Sequence, residues 1–209
     1  MHRASQISFS GLNPKEKKAL VYPILFTQMV CGTLYLNIVS FYPLYAEQKF
    51  PGYMTSTLVA VAMNTFELAG VLSTPIHAVS ISKMGRKNSI LIGLLVLFIC
   101  NTAMGYISVI DDSGAKFFWF TCLIRFFQGY GDSLVMTTNF SVISSNFSDD
   151  REMYIGYLEA SEGMGLMMGP ALGSVVYGAF GYEWAFYSFS IMIVMTFVVQ
   201  MIFLPNHLN

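Results

Sequence analysis

Five charged residues sit in stretches of this sequence too apolar to solvate them: Glu67, Arg125, Asp132, Glu159 and Glu162. A charge at the centre of a bilayer costs at least ~2.5–3.5 kcal/mol on insertion scales, so such groups face a protein interior or water. A carboxyl group in a low dielectric favours its neutral form and can exchange a proton near neutral pH. One of the four acids could therefore carry a coupling proton or hold a cationic substrate. The alternative is an interhelical ion pair, with Arg125 against one acid. Four acids exceed what one intramembrane arginine can neutralise, so the acids as a set favour function. Arg125 and Asp132 are seven apart and share a helix face to within about 20°, with Gln128 between them on nearly the same side. About 10 Å of rise separates the two charges, so each is expected to find its partner on another helix. Glu162 shares a face with Gly169, and Glu159 lies one turn earlier, about 60° around.

Uncharged polar residues accompany them. Gln28, Thr33, Asn37 and Ser40 punctuate the first apolar run. Asn37 and Thr33 are four apart, hence on one face, where they either line a substrate path or bond neighbouring helices. Cys31, Cys100 and Cys122 fall in apolar runs and read as packing residues. His2, His77 and His207 are scattered, so no metal cluster is expected, and no cofactor. No nucleophile–base pairing appears, which argues against an enzyme.

The elements that must position these groups follow from composition. Of 209 residues, 55% are hydrophobic and 11% charged, with a mean hydropathy of +0.57. A soluble domain carries roughly 25% charged residues, so this is an integral membrane protein with the lipid bilayer as its first partner. A net charge of −1 gives no global field for nucleic acid. A span needs about 20 mainly apolar residues. Six such runs occur, near 19–44, 55–81, 88–110, 117–145, 154–179 and 184–204. The links between them are short, so 19–204 is read as one six-helix bundle. Residues 1–18 form a polar, basic N-terminal segment, and 205–209 begin a loop or tail. The first run is too long for a cleaved signal peptide and is expected to remain as a span.

Lysine and arginine set the orientation. Arg3, Lys15, Lys17, Lys18, Lys83, Arg86, Lys87 and Arg151 lie on one side, and only Lys49 and Lys116 on the other. Both termini are therefore expected to be cytoplasmic. Two glycosylation sequons, Asn139-Phe-Ser141 and Asn146-Phe-Ser148, fall in a span and in a cytoplasmic loop, and neither is expected to be used. Pro23 and Pro43 lie near the ends of the first run, where they terminate rather than hinge. Phe41, Tyr42, Tyr45, Tyr53, Phe117, Phe118 and Trp119 read as interfacial anchors. Gly165, Gly169 and Gly173 repeat every four residues, a ridge that admits a neighbouring helix closely. Pro170 removes the backbone bond to Leu166 and softens that helix.

Three stretches resemble the major facilitator superfamily of secondary transporters. The second loop, Ala78-Val-Ser-Ile-Ser82-Lys83-Met-Gly85-Arg86-Lys87, is similar to the superfamily's loop motif, with Ser82 where the pattern has an acid. Helix four, Arg125-Phe-Phe-Gln128-Gly129-Tyr-Gly131, is similar to a pattern whose arginine is linked to proton transfer. Helix five, Gly165-Leu-Met-Met-Gly169-Pro170-Ala-Leu-Gly173-Ser174, resembles the antiporter motif, with serine replacing its last glycine. Ser40–Lys49 and Tyr177–Glu183 look like the vesicular amine and polyamine transporter branch, near the drug:proton antiporters.

The resemblance implies an all-α membrane protein, the N-terminal six-helix half of a major-facilitator fold, containing a three-plus-three inverted repeat. It implies proton-coupled antiport of a small organic cation or amine. A facing C-terminal half, or a second copy of this chain, would complete the path. The competing expectation is a non-transporting six-span scaffold or regulatory remnant, or a truncated gene product. The plasma membrane and a vesicle membrane fit equally.

Overall fold

The computed structural model describes residues 14–110, 112–147 and 150–204. Residues 1–13, the 205–209 tail, His2, Arg3, His207 and Ser148 of the second sequon lie outside the described residues. The regular structure is all helical: α1 (Pro14–Asn37), α2 (Tyr42–Lys49), α3 (Ser56–Met84), α4 (Arg86–Tyr106), α5 (Gly114–Asn146), α6 (Arg151–Phe180) and α7 (Tyr182–Phe203). Five stretches are long and apolar enough to cross a membrane: Leu20–Lys49, Ser56–Met84, Arg86–Val109, Arg151–Phe180 and Tyr182–Phe203. The 33-residue α5 is not among them. Its buried face carries Arg125, Gln128, Asp132, Ser133, Thr138 and Asn139, which lower its hydropathy.

The first apolar run is not one continuous helix. α1 ends at Asn37, a 3₁₀ turn covers Ile38–Ser40, and α2 restarts at Tyr42. Phe41 leaves helical geometry at φ −129°, and Pro43, at the start of α2, has no N–H with which to continue α1. Pro23 does not terminate α1. The helix already begins at Pro14, nine residues earlier. The carbonyl of Pro23 accepts from the Thr27 hydroxyl at 2.9 Å and from the Gln200 amide of α7 at 2.8 Å.

Two apolar cores lie toward opposite ends of the bundle. One gathers Leu20, Ile24, Ile90, Leu94, Ile143, Phe147 and Leu204, from the starts of α1 and α4 and the ends of α5 and α7. The other gathers Phe41, Tyr42, Phe50, Met104, Phe117, Tyr182 and Phe186, from the opposite helix ends. Phe41, Tyr42, Phe117 and Phe118 are therefore core residues rather than interfacial anchors. The short α2 folds back over the bundle and stacks Tyr42 on Phe117, with centroids 6.0 Å apart, and Tyr45 on Tyr182 at 3.8 Å. Tyr53 and Trp119 stay exposed, as anchors require.

Apart from the short α2, the helices fall into two corresponding units of three. α1 pairs most extensively with α6 and α3 with α5, while α4 packs on both α5 and α7. Equating α1 with α5, α3 with α6 and α4 with α7 exchanges the first two pairings and returns α4–α7 to itself. Individual residues follow the same offset. Gly85 opens α4 at φ 83° and Gly181 opens α7 at φ 85°, 96 residues later, in a conformation that only glycine adopts freely. Pro75 lies inside α3 and Pro170 inside α6. This is the three-plus-three relation expected of the fold.

Candidate functional site

Glycines decide where a cleft can open. A Cβ on Gly165 or Gly173 would collide with the Met29 or Asn37 carbonyl oxygen of α1, and one on Gly169 would sit 2.6 Å from that of Thr33. α1 answers with Gly32, whose Cβ would lie 2.6 Å from the Glu162 carbonyl. Gly129 of α5 meets the Phe66 carbonyl of α3 in the same way. Backbones in these two pairs touch, whereas contacts of α5 with α1 and α6 are sparse. The space left between the pairs is a cleft of about 390 Å³.

Its walls are single helix faces. α3 supplies Phe66, Glu67, Gly70, Val71 and Thr74, and α5 supplies Gly129, Asp132, Ser133, Met136, Thr137 and Phe140. Both sets follow the three-and-four spacing of one face. α1 adds Cys31, Gly32 and Tyr35, and α6 adds Glu162. Three of the five intramembrane charges, Glu67, Asp132 and Glu162, thus converge from three helices. No lysine or arginine lines the cleft among the described residues. Asp132 is only 8% exposed, and its Oδ1 has no hydrogen-bond partner among the described residues. Glu162 accepts from the Gln28 amide of α1 at 3.2 Å. Gln28 in turn accepts from Asn139 at 2.9 Å, so the first sequon's asparagine is wholly buried.

Arg125 lies behind this wall, 1% exposed. Its guanidinium donates to Gln128 at 2.9 Å and sits 4.4 Å over the Phe66 ring. The expected cross-helix ion pair is not formed. Among the described residues the ion pair is Lys116 with Asp112, at the exposed turn before α5. One helical turn brings Gln128 to Arg125, and the ring face supplies an electrostatic contact worth about 2 kcal/mol when desolvated. The guanidinium forms no ion pair with a cleft acid, and its buried Nε has no partner among the described residues.

The other candidates divide. Glu159 is exposed and does not line the cleft. Asn37 is buried at the α1–α6 seam, with its Nδ2 unpartnered among the described residues, while Thr33 bonds the Met29 carbonyl of its own helix. In the loop motif, Ser82 bonds back to Val79, Lys83 is exposed, and Gly85 makes the turn into Arg86. Lys87 is buried and donates to the Met201 and Leu204 carbonyls at 3.0 and 2.7 Å, capping α7. Gly165, Gly169 and Gly173 line the α1 seam, with Pro170 inside the same uninterrupted helix. Cys31, Cys100 and Cys122 are buried free thiols.

Stacked apolar helices of this length define an integral, multi-pass membrane protein. Residues 24–208 match the Major Facilitator Superfamily, and the chain belongs to that superfamily of transporters. It is similar to the MFS-type transporter SLC18B1 of Homo sapiens, 25% identical over 167 residues, which are 80% of this chain and 36% of that protein. The Mus musculus SLC18B1 is 23% identical over 177 residues, 85% of this chain and 38% of that protein. The Rattus norvegicus protein matches to the same extent. The chain spans little over a third of the length of these relatives.

Proposed function

We propose that this chain is the N-terminal six-span half of a secondary active transporter that exchanges protons for a small organic cation or amine. In this reading α5 is also a span, the fourth of six in chain order. Its polar face is turned inward, which is how a helix of low hydropathy is accommodated in lipid. Both termini are cytoplasmic, in keeping with the lysine and arginine count.

The observation that carries the proposal is the convergence of Glu67, Asp132 and Glu162 on one cleft without a lining cation. Three carboxylates at such a site cannot all remain ionised and unpaired. They hold protons or they hold a cation, and the two compete. Competition at one site, alternately open to either side, is the minimal requirement for exchange. Tyr35, Phe66 and Phe140 supply ring faces, and Thr74, Ser133 and Thr137 supply hydroxyls, for the body of an amine. Arg125 is a buried guanidinium on the helix that carries Asp132. The glycine seam between α1 and α6 lets these helices move as one piece as the halves rock.

The test is uptake into vesicles containing the full-length protein. An imposed pH gradient is expected to drive accumulation of a radiolabelled organic cation, and collapse of the gradient by a protonophore to abolish it. Uptake indifferent to the gradient would remove proton coupling, and would leave the non-transporting scaffold as the better reading if no cation entered at all.

A further inference from the structure

Glu162 differs from the other two cleft acids in being held by an ordered chain of amides. Asn139 of α5 and Gln28 of α1 are both fully buried. The Asn139 Nδ2 donates to the Gln28 Oε1 at 2.9 Å. That bond occupies the oxygen of the Gln28 amide and fixes which end of it faces the cleft. Its Nε2 then points at the Glu162 Oε2, 3.2 Å away, and at the Met136 sulfur, 2.8 Å away. The Asn139 Oδ1 is left without a partner among the described residues. The side chain is thus turned to spend its donor on Gln28, although its acceptor goes unused.

We propose that Gln28 and Asn139 are a positioning pair that holds Glu162 as the carboxylate that binds the cation, leaving Asp132 to carry the proton. The inference rests on the transport reading above. A neutral donor aimed at a carboxylate favours and orients its ionised form without cancelling its charge, as a lysine or arginine would. One oxygen of Glu162 is taken by Gln28, and the other remains for a ligand. Asp132 has a different setting: no amide reaches it, its buried Oδ1 has no partner among the described residues, and the side chain beside it is the Cys31 thiol. The ionisable groups around the pair are Cys31 from α1, Glu67 from α3, Arg125 on the helix of Asp132 itself, and Glu159 on the helix of Glu162. None of them donates a hydrogen bond to Glu162 among the described residues, so the amide chain from Asn139 is what distinguishes it.

The experiment is equilibrium binding of tetraphenylphosphonium, a permanent cation with no proton to lose, to the purified full-length protein. Gln28→Met keeps the side-chain length and removes the donor. Asn139→Leu frees the Gln28 amide to turn over. Each is expected to raise Kd about tenfold, the scale of a hydrogen bond to a charged group. In a Glu162→Gln background, neither is expected to change Kd by more than about twofold, because the group they act through no longer ionises. Asp132→Asn is expected to bind the cation and to release no proton on doing so. The same tenfold loss in the Glu162→Gln background would overturn the positioning role, since the two amides would then act on packing alone. A native protein that bound no cation would overturn the transport reading together with this one, whereas cation binding with additive losses would overturn this inference alone.

Discussion

At the scale of the residue, the account turns on which carboxyl groups share the cleft. Asp132 and Glu159 are both acids in apolar runs, yet one is buried on the cleft wall and the other is exposed on α6. Replacing Asp132 with asparagine is expected to lower gradient-driven uptake by about tenfold or more, equivalent to about 1.4 kcal/mol of lost coupling. Glu159→Gln should leave uptake within about twofold, because an exposed group outside the site contributes little. The charges were legible in the sequence because apolar surroundings make any ionised group conspicuous. The rest of the wall was not. Cys31, Tyr35, Phe66 and Ser133 are residue types that fill ordinary helix seams equally often, and only the pairing of α1 with α6 and α3 with α5 brings them to one place. Asn139 drew notice as part of a sequon, and its burial against Gln28 gives it a different role. Arg125 was read as half of an ion pair, because sequence spacing cannot show that a phenylalanine on another helix supplies the face it rests on.

Helices and their seams account for where the cleft sits. The α6 glycines could be recognised as a ridge from spacing alone, but the partner helix could not, since any neighbour would satisfy the pattern. The structure makes the claim specific. Gly165→Ala places a Cβ on the backbone of α1, where no rotamer change can relieve it, and should cost on the order of 1–3 kcal/mol. Gly163, in the same turn, has nothing within 4 Å of its would-be Cβ, so Gly163→Ala should be harmless or stabilise the helix by up to about 1 kcal/mol. Melting temperatures of the two variants in detergent distinguish them directly. Lys87 gives a second test at this scale. It caps the last carbonyls of α7 from the start of α4, so Lys87→Met should lower stability by about 1–2 kcal/mol, read from the same melts. The aromatic cluster around α2 marks the limit of sequence reading. Aromatic rings near a span end suit both a lipid interface and a packed core, and the return of α2 over Phe117 and Tyr182 decides for the core.

For the whole molecule, the two three-helix units explain why one cleft draws on four helices. Equivalent seams, α1 against α6 and α3 against α5, close tightly around glycines, and the gap between them becomes the site. The repeat is faint in the sequence because lipid-facing positions tolerate any apolar residue, whereas the backbone angles of Gly85 and Gly181 match closely. The proposed orientation has its own check. A cysteine at Ser82 should react with a membrane-impermeant maleimide from the cytoplasmic side, and one at Asp112 from the opposite side, the native thiols being buried. The central claim is that protons and a cation compete for the carboxylates of one cleft, and proton release on cation binding tests it most directly. Tetraphenylphosphonium added to weakly buffered, purified full-length protein is expected to release protons, and to release none when Glu67, Asp132 and Glu162 are all replaced by their amides. Saturable cation binding with no proton released from the native protein would contradict the account.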